Sequence, residues 1–389
     1  MKKRIRKIGR ILGICLLIMV SGVFISVYAL RFPSVQNALL YKIKGALERE
    51  MGTEVSLMAV DAALPTYAIL EGVEIPDKEG KDFLKVGAVR VDLLNFSLWE
   101  YLFNSEPVHK VSISDLQLFN PELYLYRNPV DSSYNIPFDF SLFSSSDTTA
   151  NLRPLRFVLQ DVSIIQGRLR FQDATHPFSD SIFTKRLNVN NLWLKGVNSH
   201  FSMTFSPGEK LDSRISSFSL QEVHSGLAVD SLSMTLATTF DNKEKGISPS
   251  LELKDLALRI EQTHIVGDLL FPEVGLAEVL NSDFSEYFEI DLKKSTLELD
   301  KLHYFLADSL AVRGMLDLRG KVTGHLSNLK SDAFFMGLSD SSSIYTNFSL
   351  KEILDPDKRR IELLFRSPGI ALADVRDHIP QLNLPKYLE

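Results

Sequence analysis

"VHKVSISDLQLFNPELYLYR", residues 108–127, carries the pattern that decides how the rest of the chain is read. Apolar side chains occupy every second position at Val111 and Ile113. The count slips by one residue at Asp115 and resumes at Leu116 and Leu118. After Asn120-Pro121 it starts again at Leu123 and Leu125. A spacing of two belongs to a pleated strand with one apolar and one wet face. Read as a strand, each slip is one extra residue after which later side chains return to the same face.

The slip recurs along the chain. Leu70-x-Gly72-Val73-x-Ile75 and Ile113-x-Asp115-Leu116-x-Leu118 share it with Leu159-x-Asp161-Val162-x-Ile164. Val189-x-Asn191-Leu192-x-Leu194 and Leu253-x-Asp255-Leu256-x-Leu258 repeat it, and Leu220-x-Glu222-Val223-x-Ser225 is a degraded copy with Ser in the last apolar place. Two copies align without gaps at an offset of 46, matching Ile113 with Leu159, Pro121 with Gly167, Leu123 with Leu169 and Leu125 with Phe171. Self-similarity at such spacings implies a stacked or elongated architecture. Asp, Asn and Gly tolerate unusual backbone angles, so the slip reads either as a β-bulge that twists the sheet or as a hairpin turn. The sequence leaves both open.

Composition and charge set the outer bounds. The 389 residues are 45% hydrophobic and 24% charged, a globular balance with room for a large core. Residues 1–10, "MKKRIRKIGR", hold six basic residues and no acid. Beyond residue 30 the chain has 37 basic against 49 acidic residues, a net of −12. Such a body is a poor partner for nucleic acid, whose phosphates need clustered Lys and Arg. Residues 11–30, "ILGICLLIMVSGVFISVYAL", are uncharged and long enough for a roughly 30 Å hydrocarbon core. With the basic head before it, this stretch is expected to be a single-pass inner-membrane anchor, its N-terminus cytoplasmic and the bulk periplasmic. A cleavable signal ending near Val27-Tyr28-Ala29 is the rival, but its apolar region usually runs about 7–15 residues. Cys15 is the only cysteine, and the bulky Ile14 before it argues against a lipoprotein.

Residues 31–52 are expected to form an amphipathic helix, capped by Ser34 and ended by Gly52, with Ala38, Leu39, Ile43, Ala46 and Leu47 on one side. It reads as a connector packed on the first strands. Residues 53–389 read as one β-rich unit, with polar loops at 141–151 and 241–250 and a turn then a strand over 339–350. Short helices are expected near 274–281, 300–307 and 373–379, too few to cover the sheet.

A search for chemistry returns little. Eight histidines are scattered without the spacing of metal ligands, and no nucleophile elbow, S-x-x-K or phosphate loop occurs. Asp291 and Glu298 could be drawn as an acid–base pair, but solvated strand positions explain them better. No catalytic residue, metal or cofactor is expected, and the chain does not read as an enzyme.

The order of these pieces resembles the N-terminal part of TamB and related AsmA-like proteins of Gram-negative envelopes. The matching phrases are "LEGVEIPDKEG", "ISDLQLFNPELYLYR" and "LAVRGMLDLRGKVTGHLSNLKSD" (310–332), the last with its glycines before strands. Members of the TamB type are much longer and end in a domain that meets an outer-membrane barrel of the TamA type. This chain stops at "PQLNLPKYLE", so it reads as a truncated version or a short AsmA-like relative. The resemblance implies an elongated, twisted antiparallel β-sheet curled into a groove and anchored in the inner membrane. Its apolar face would conduct phospholipid acyl chains between the membranes for outer-membrane biogenesis. The expected lining is Ile113, Leu116, Leu118, Leu123, Leu125, Leu159, Val162, Ile164, Leu169, Phe171, Leu192 and Leu194. Exposing about 30 methylenes to water costs on the order of 20 kcal/mol, which a continuous apolar trough removes. The alternative is a periplasmic assembly factor for outer-membrane proteins, working through strand edges and a barrel partner without lipid transport.

Overall fold

The computed structural model describes residues 32–63, 67–92, 110–137, 156–176, 186–206, 209–240, 246–275, 286–305, 312–325, 327–339, 342–352 and 360–378. The anchor expected at 11–30, the loop 141–151 and most of the helix expected at 274–281 lie outside them. No helix among the described residues is long and apolar enough to cross a membrane.

The first described element is helix α1 (Pro33–Met51). Phe32 is its N-cap and Pro33 its first residue, so the cap expected at Ser34 is corrected to a position two residues earlier. Proline's fixed φ suits the first helical residue and starts the helix earlier than a serine cap would. Gly52 ends it as expected, at φ 65 with its N–H donating to the Glu48 carbonyl. Leu39, Leu40, Ile43 and Leu47 pack on a cluster of Val55, Leu57, Val60, Val73, Ile75, Phe83 and Val86. Leu40, not the exposed Ala38, completes the apolar side.

Among the described residues that follow, 17 strands form one sheet. They are β1 (Ala59–Ala63), β2 (Tyr67–Pro76), β3 (Asp82–Asp92), β4 (Lys110–Ile113), β5 (Leu116–Arg127) and β6 (Arg156–Asp173). Then come β7 (Asn191–Ser206), β8 (Lys210–Glu222), β9 (Ala228–Val229), β10 (Ser231–Thr239), β11 (Ser250–Ile260) and β12 (Thr263–Pro272). The last are β13 (Phe288–Glu298), β14 (Met315–His325), β15 (Asn328–Gly337), β16 (Ser343–Lys351) and β17 (Arg360–Gly369). The registers run β1–β2–β3–β5–β6–β7–β8–β10 and then strand by strand to β17. Strands β4 and β9 continue the lines of β5 and β10 beside β6 and β8. Edges β1 and β17 do not pair with each other, so the sheet is open. A 3-10 turn (Leu299–Tyr304) and helix α2 (Leu372–His378) stand at the ends of strands, near where short helices were expected. The turn and strand read over 339–350 are also present.

The sheet is not purely antiparallel. β4 and β5 both run parallel to β6, because the long connection after Arg127 returns the chain in the same direction. The 46-residue repeat is the register of this junction. Ile113 faces Leu159, Leu123 faces Leu169 and Leu125 faces Phe171 across it. Related strands laid side by side in register place like residues together.

The slips resolve into both readings. At Asp161 the β6–β7 register shifts between Leu159 and Val162, and at Asp255 the β11–β12 register shifts between Leu253 and Leu256. Asp115 breaks β4 from β5 in step with Asp161. The second slip in the opening stretch is matched too, with Asn120 at φ 49 and, 46 residues on, Gln166 at φ 56. Asn191 and Glu222 instead stand at strand ends beside turns. The Ser that degrades the sixth copy has a partner: the Ser225 hydroxyl and N–H donate to the buried Glu222 carboxylate at 2.7 and 2.6 Å. In the 310–332 phrase only Gly314 precedes a strand, while Gly320 and Gly324 lie inside β14. A Cβ on Gly320 would sit 2.5 Å from the Ala333 carbonyl oxygen.

Asp255 sits at φ 51, its N–H donating to Asp268 at 2.8 Å while Lys293 lies 3.2 Å from Asp268. The left-handed conformation costs a branched side chain about 1–2 kcal/mol, while Gly and Asn tolerate it. Chemical denaturation should therefore find Asp255→Val destabilised by about that amount and Asp255→Gly near wild type.

Candidate functional site

Across β3, β5, β6 and β7 the apolar positions fall into lateral rows. Val91, Leu116, Val162 and Phe201 form one, and Leu84, Leu123, Leu169 and Leu194 another. Because every bulge on these strands inserts one residue, the alternation recovers its face after each. All twelve residues expected to line a groove thus lie on one face of the sheet. Eleven are half-buried and only Val162, 2% exposed, is buried. Leu118, Leu123 and Leu125 also touch the cluster under α1, so part of their lining is ordinary packing.

The same face continues through Leu253 and Leu269, then Ile290 and Val322, to Leu350 and Ile361. Among the described residues most of the buried apolar side chains gather in three separate clusters, under α1, around Leu251, Phe271 and Phe288, and beside Tyr304, while Val162, Phe205 and Phe334 are buried outside them. A compact domain usually shows one contiguous core. On β17 every residue is exposed, with Ile361 at 58%, Leu363 at 59% and Phe365 at 62%. Among the described residues α1 thus covers one end of a broad apolar surface.

The opposite face is polar and carries groups that the sequence reading missed. Arg168 donates to Glu122 at 2.8 Å across the parallel pair there, and on the apolar side, just past Leu125 and Phe171, Arg127 donates to Asp173 at 3.1 Å. Both pairs are 46 residues apart, so opposite charges at equivalent positions of the repeat were the signal for lateral neighbours. A hollow of about 1370 Å³ opens on this face over β3, β5, β6, β7 and β8.

Two arrangements look chemical but are not assembled for catalysis. Asp161 and Ser163 both approach His200 through Nδ1, each at 3.2 Å. A relay needs the acid and the nucleophile on opposite ring nitrogens. Asp291 and Glu298 stand seven residues apart along β13, roughly 20 Å, too far to share a substrate. Among the described residues no group of three or more His, Cys, Asp or Glu is placed to hold a metal ion. No protein-family model matches the chain, and no curated protein does.

Asp173, 7% exposed, fastens the end of the parallel junction. Burial pushes its carboxyl up, but Thr175 hydroxyl at 2.5 Å, Thr175 N–H at 2.9 Å, Arg127 and His176 together hold it at about 2, below the usual 3.8. A depressed carboxyl stabilises the fold fully above pH 3.8, and that contribution disappears as pH falls toward 2. Acid titration of stability should show wild type losing about 2 kcal/mol over that window relative to Asp173→Asn, which lacks the titrating group.

Proposed function

We propose that the chain is an envelope protein of the TamB and AsmA-like kind, held in the inner membrane by residues 11–30. Its apolar sheet face conducts phospholipid acyl chains across the periplasm, with head groups left in water. The observation that carries this reading is the continuous apolar face from β2 to β17, of which α1 covers only the first strands. Acyl chains laid on such a face would remove about 0.8 kcal/mol of exposure per methylene without specific contacts. Bulged strands suit the task, since a twisted surface offers a path rather than a pocket. No reaction or cofactor belongs to this function.

One observation favours the second reading, an assembly factor that pairs strand edges with outer-membrane clients or a barrel partner. Among the described residues β17 pairs with β16 alone, leaving its other edge open, with exposed Leu364 on one face and Ile361, Leu363 and Phe365 on the other. Exposed edges of this kind template further strands.

Mass spectrometry of the full chain, purified and exchanged into a lipid-free detergent, separates the two. Acyl conduction predicts bound phospholipid, reduced severalfold in Ile164→Asp and Leu194→Asp variants with unchanged far-UV circular dichroism. Phospholipid no higher than in a detergent-matched control membrane protein, with crosslinks from β17 to barrel proteins, would reject lipid conduction and select strand pairing.

A further inference from the structure

The hollow opens on the polar face, although Leu123 and Leu169 also border it. Its polar side chains Glu122, Tyr124, Arg168, Arg170 and Trp193 alternate with the groove residues along the same strands and so project the opposite way. Tyr124, Arg170 and Trp193 stand abreast on β5, β6 and β7. The Arg170 guanidinium lies 5.9 Å from the Tyr124 ring centre and 5.4 Å from that of Trp193, so two rings orient one cation. Trp193 is still 40% exposed, and its backbone is fixed by Glu222, which accepts its N–H at 3.2 Å.

Charge pairing in the hollow is uneven. Lys85 meets Asp82 at 2.8 Å, Arg168 meets Glu122 at 2.8 Å, and Lys81 meets Glu79 at 2.7 Å. Arg170 and Lys195 have no carboxylate within ion-pair distance among the described residues. Two unpaired cations beside an open indole, in a body of net −12, form a locally positive spot on an acidic surface. The volume of about 1370 Å³ exceeds the roughly 300–1,000 Å³ of small-molecule sites and suits an extended ligand. Ser219 and Gln221 add a hydroxyl and an amide to the lining.

We propose that this hollow binds an acidic oligosaccharide, a short glycan bearing carboxylate or phosphate groups. Trp193 stacks on the apolar face of a sugar ring. The Arg170 fork and the Lys195 ammonium take the anionic substituent, the fork by paired hydrogen bonds. Ser219 and Gln221 meet ring hydroxyls. Nucleic acid fits poorly, because the chain beyond residue 30 carries a net −12 and three of the five cations lining the hollow, Lys81, Lys85 and Arg168, are already paired with carboxylates. The site works alone, whether or not the opposite face carries lipid.

The full chain in detergent, carrying Trp99→Phe so that Trp193 is the single tryptophan, supplies the test by fluorescence titration. The probes are tetragalacturonate, a phosphorylated glucosamine disaccharide, neutral maltotetraose and inorganic phosphate. The proposal predicts saturable quenching by at least one acidic sugar, with affinity falling about ten- to a hundredfold in Arg170→Gln or Lys195→Gln. Lys254→Gln, on the same face but outside the hollow, should bind as wild type. Failure of both acidic sugars to saturate overturns it. So does an equal response to maltotetraose or phosphate alone, or acidic-sugar binding that survives both substitutions in variants with native circular dichroism.

Discussion

The constraint on which the structure depends is parity. A strand alternates its side chains between two faces, so any inserted residue would send all later apolar positions to the wrong side. Here the insertions are matched by slips in the hydrophobic pattern: at Asp115 and Asp161, at Asn120 and Gln166, and at Asp255. Neighbouring strands slip together, so the ladder bends without losing its faces. On β2 and β3 the change falls at Gly72 (φ 61) and Gly87, which oppose each other with no net shift of register. A bulged strand is more twisted than a regular one, and here the twist is distributed along most of the sheet.

The consequence is surface. A sheet this wide, on the order of 65–70 Å measured across its strands, needs a second layer to hide one face. The described residues supply α1 at one end, a 3-10 turn and the seven-residue α2. The apolar rows between them remain half-buried, which distinguishes this architecture from a sandwich. The opposite face is laced by charge pairs, such as Lys321 with Glu289 at 2.6 Å and Lys254 with Glu252 at 2.9 Å. Exposed pairs of this kind contribute little stability each but keep that face wet.

Much of this was legible before the fold was known. Alternation gave the strands, and the repeat at 46 gave the register of β5 on β6, although not that the two run parallel. Direction depends on the path of the chain between Arg127 and Arg156, which no periodicity encodes. Bulges and turns share the same residue types, so Asp161 and Glu222 looked alike in sequence. Only the partner strand distinguishes them. The helix start was misplaced because Pro33 and Ser34 are both good N-terminal residues and their competition is settled by the local backbone. The Tyr124–Arg170–Trp193 row escaped notice for another reason: its members meet across three strands, and polar positions were read as solvent-facing and set aside.

The proposed function depends on an apolar face that the described residues leave largely uncovered. Photo-crosslinking residues placed singly at Leu159, at Leu169 and, on the opposite face one residue away, at Arg168 test this in the full chain in phospholipid-containing membranes. Leu159 and Leu169 should yield adducts with the mass of a phospholipid, and Arg168 should yield none. Capture of protein alone at both leucines, or equal lipid capture on the two faces, would contradict the account.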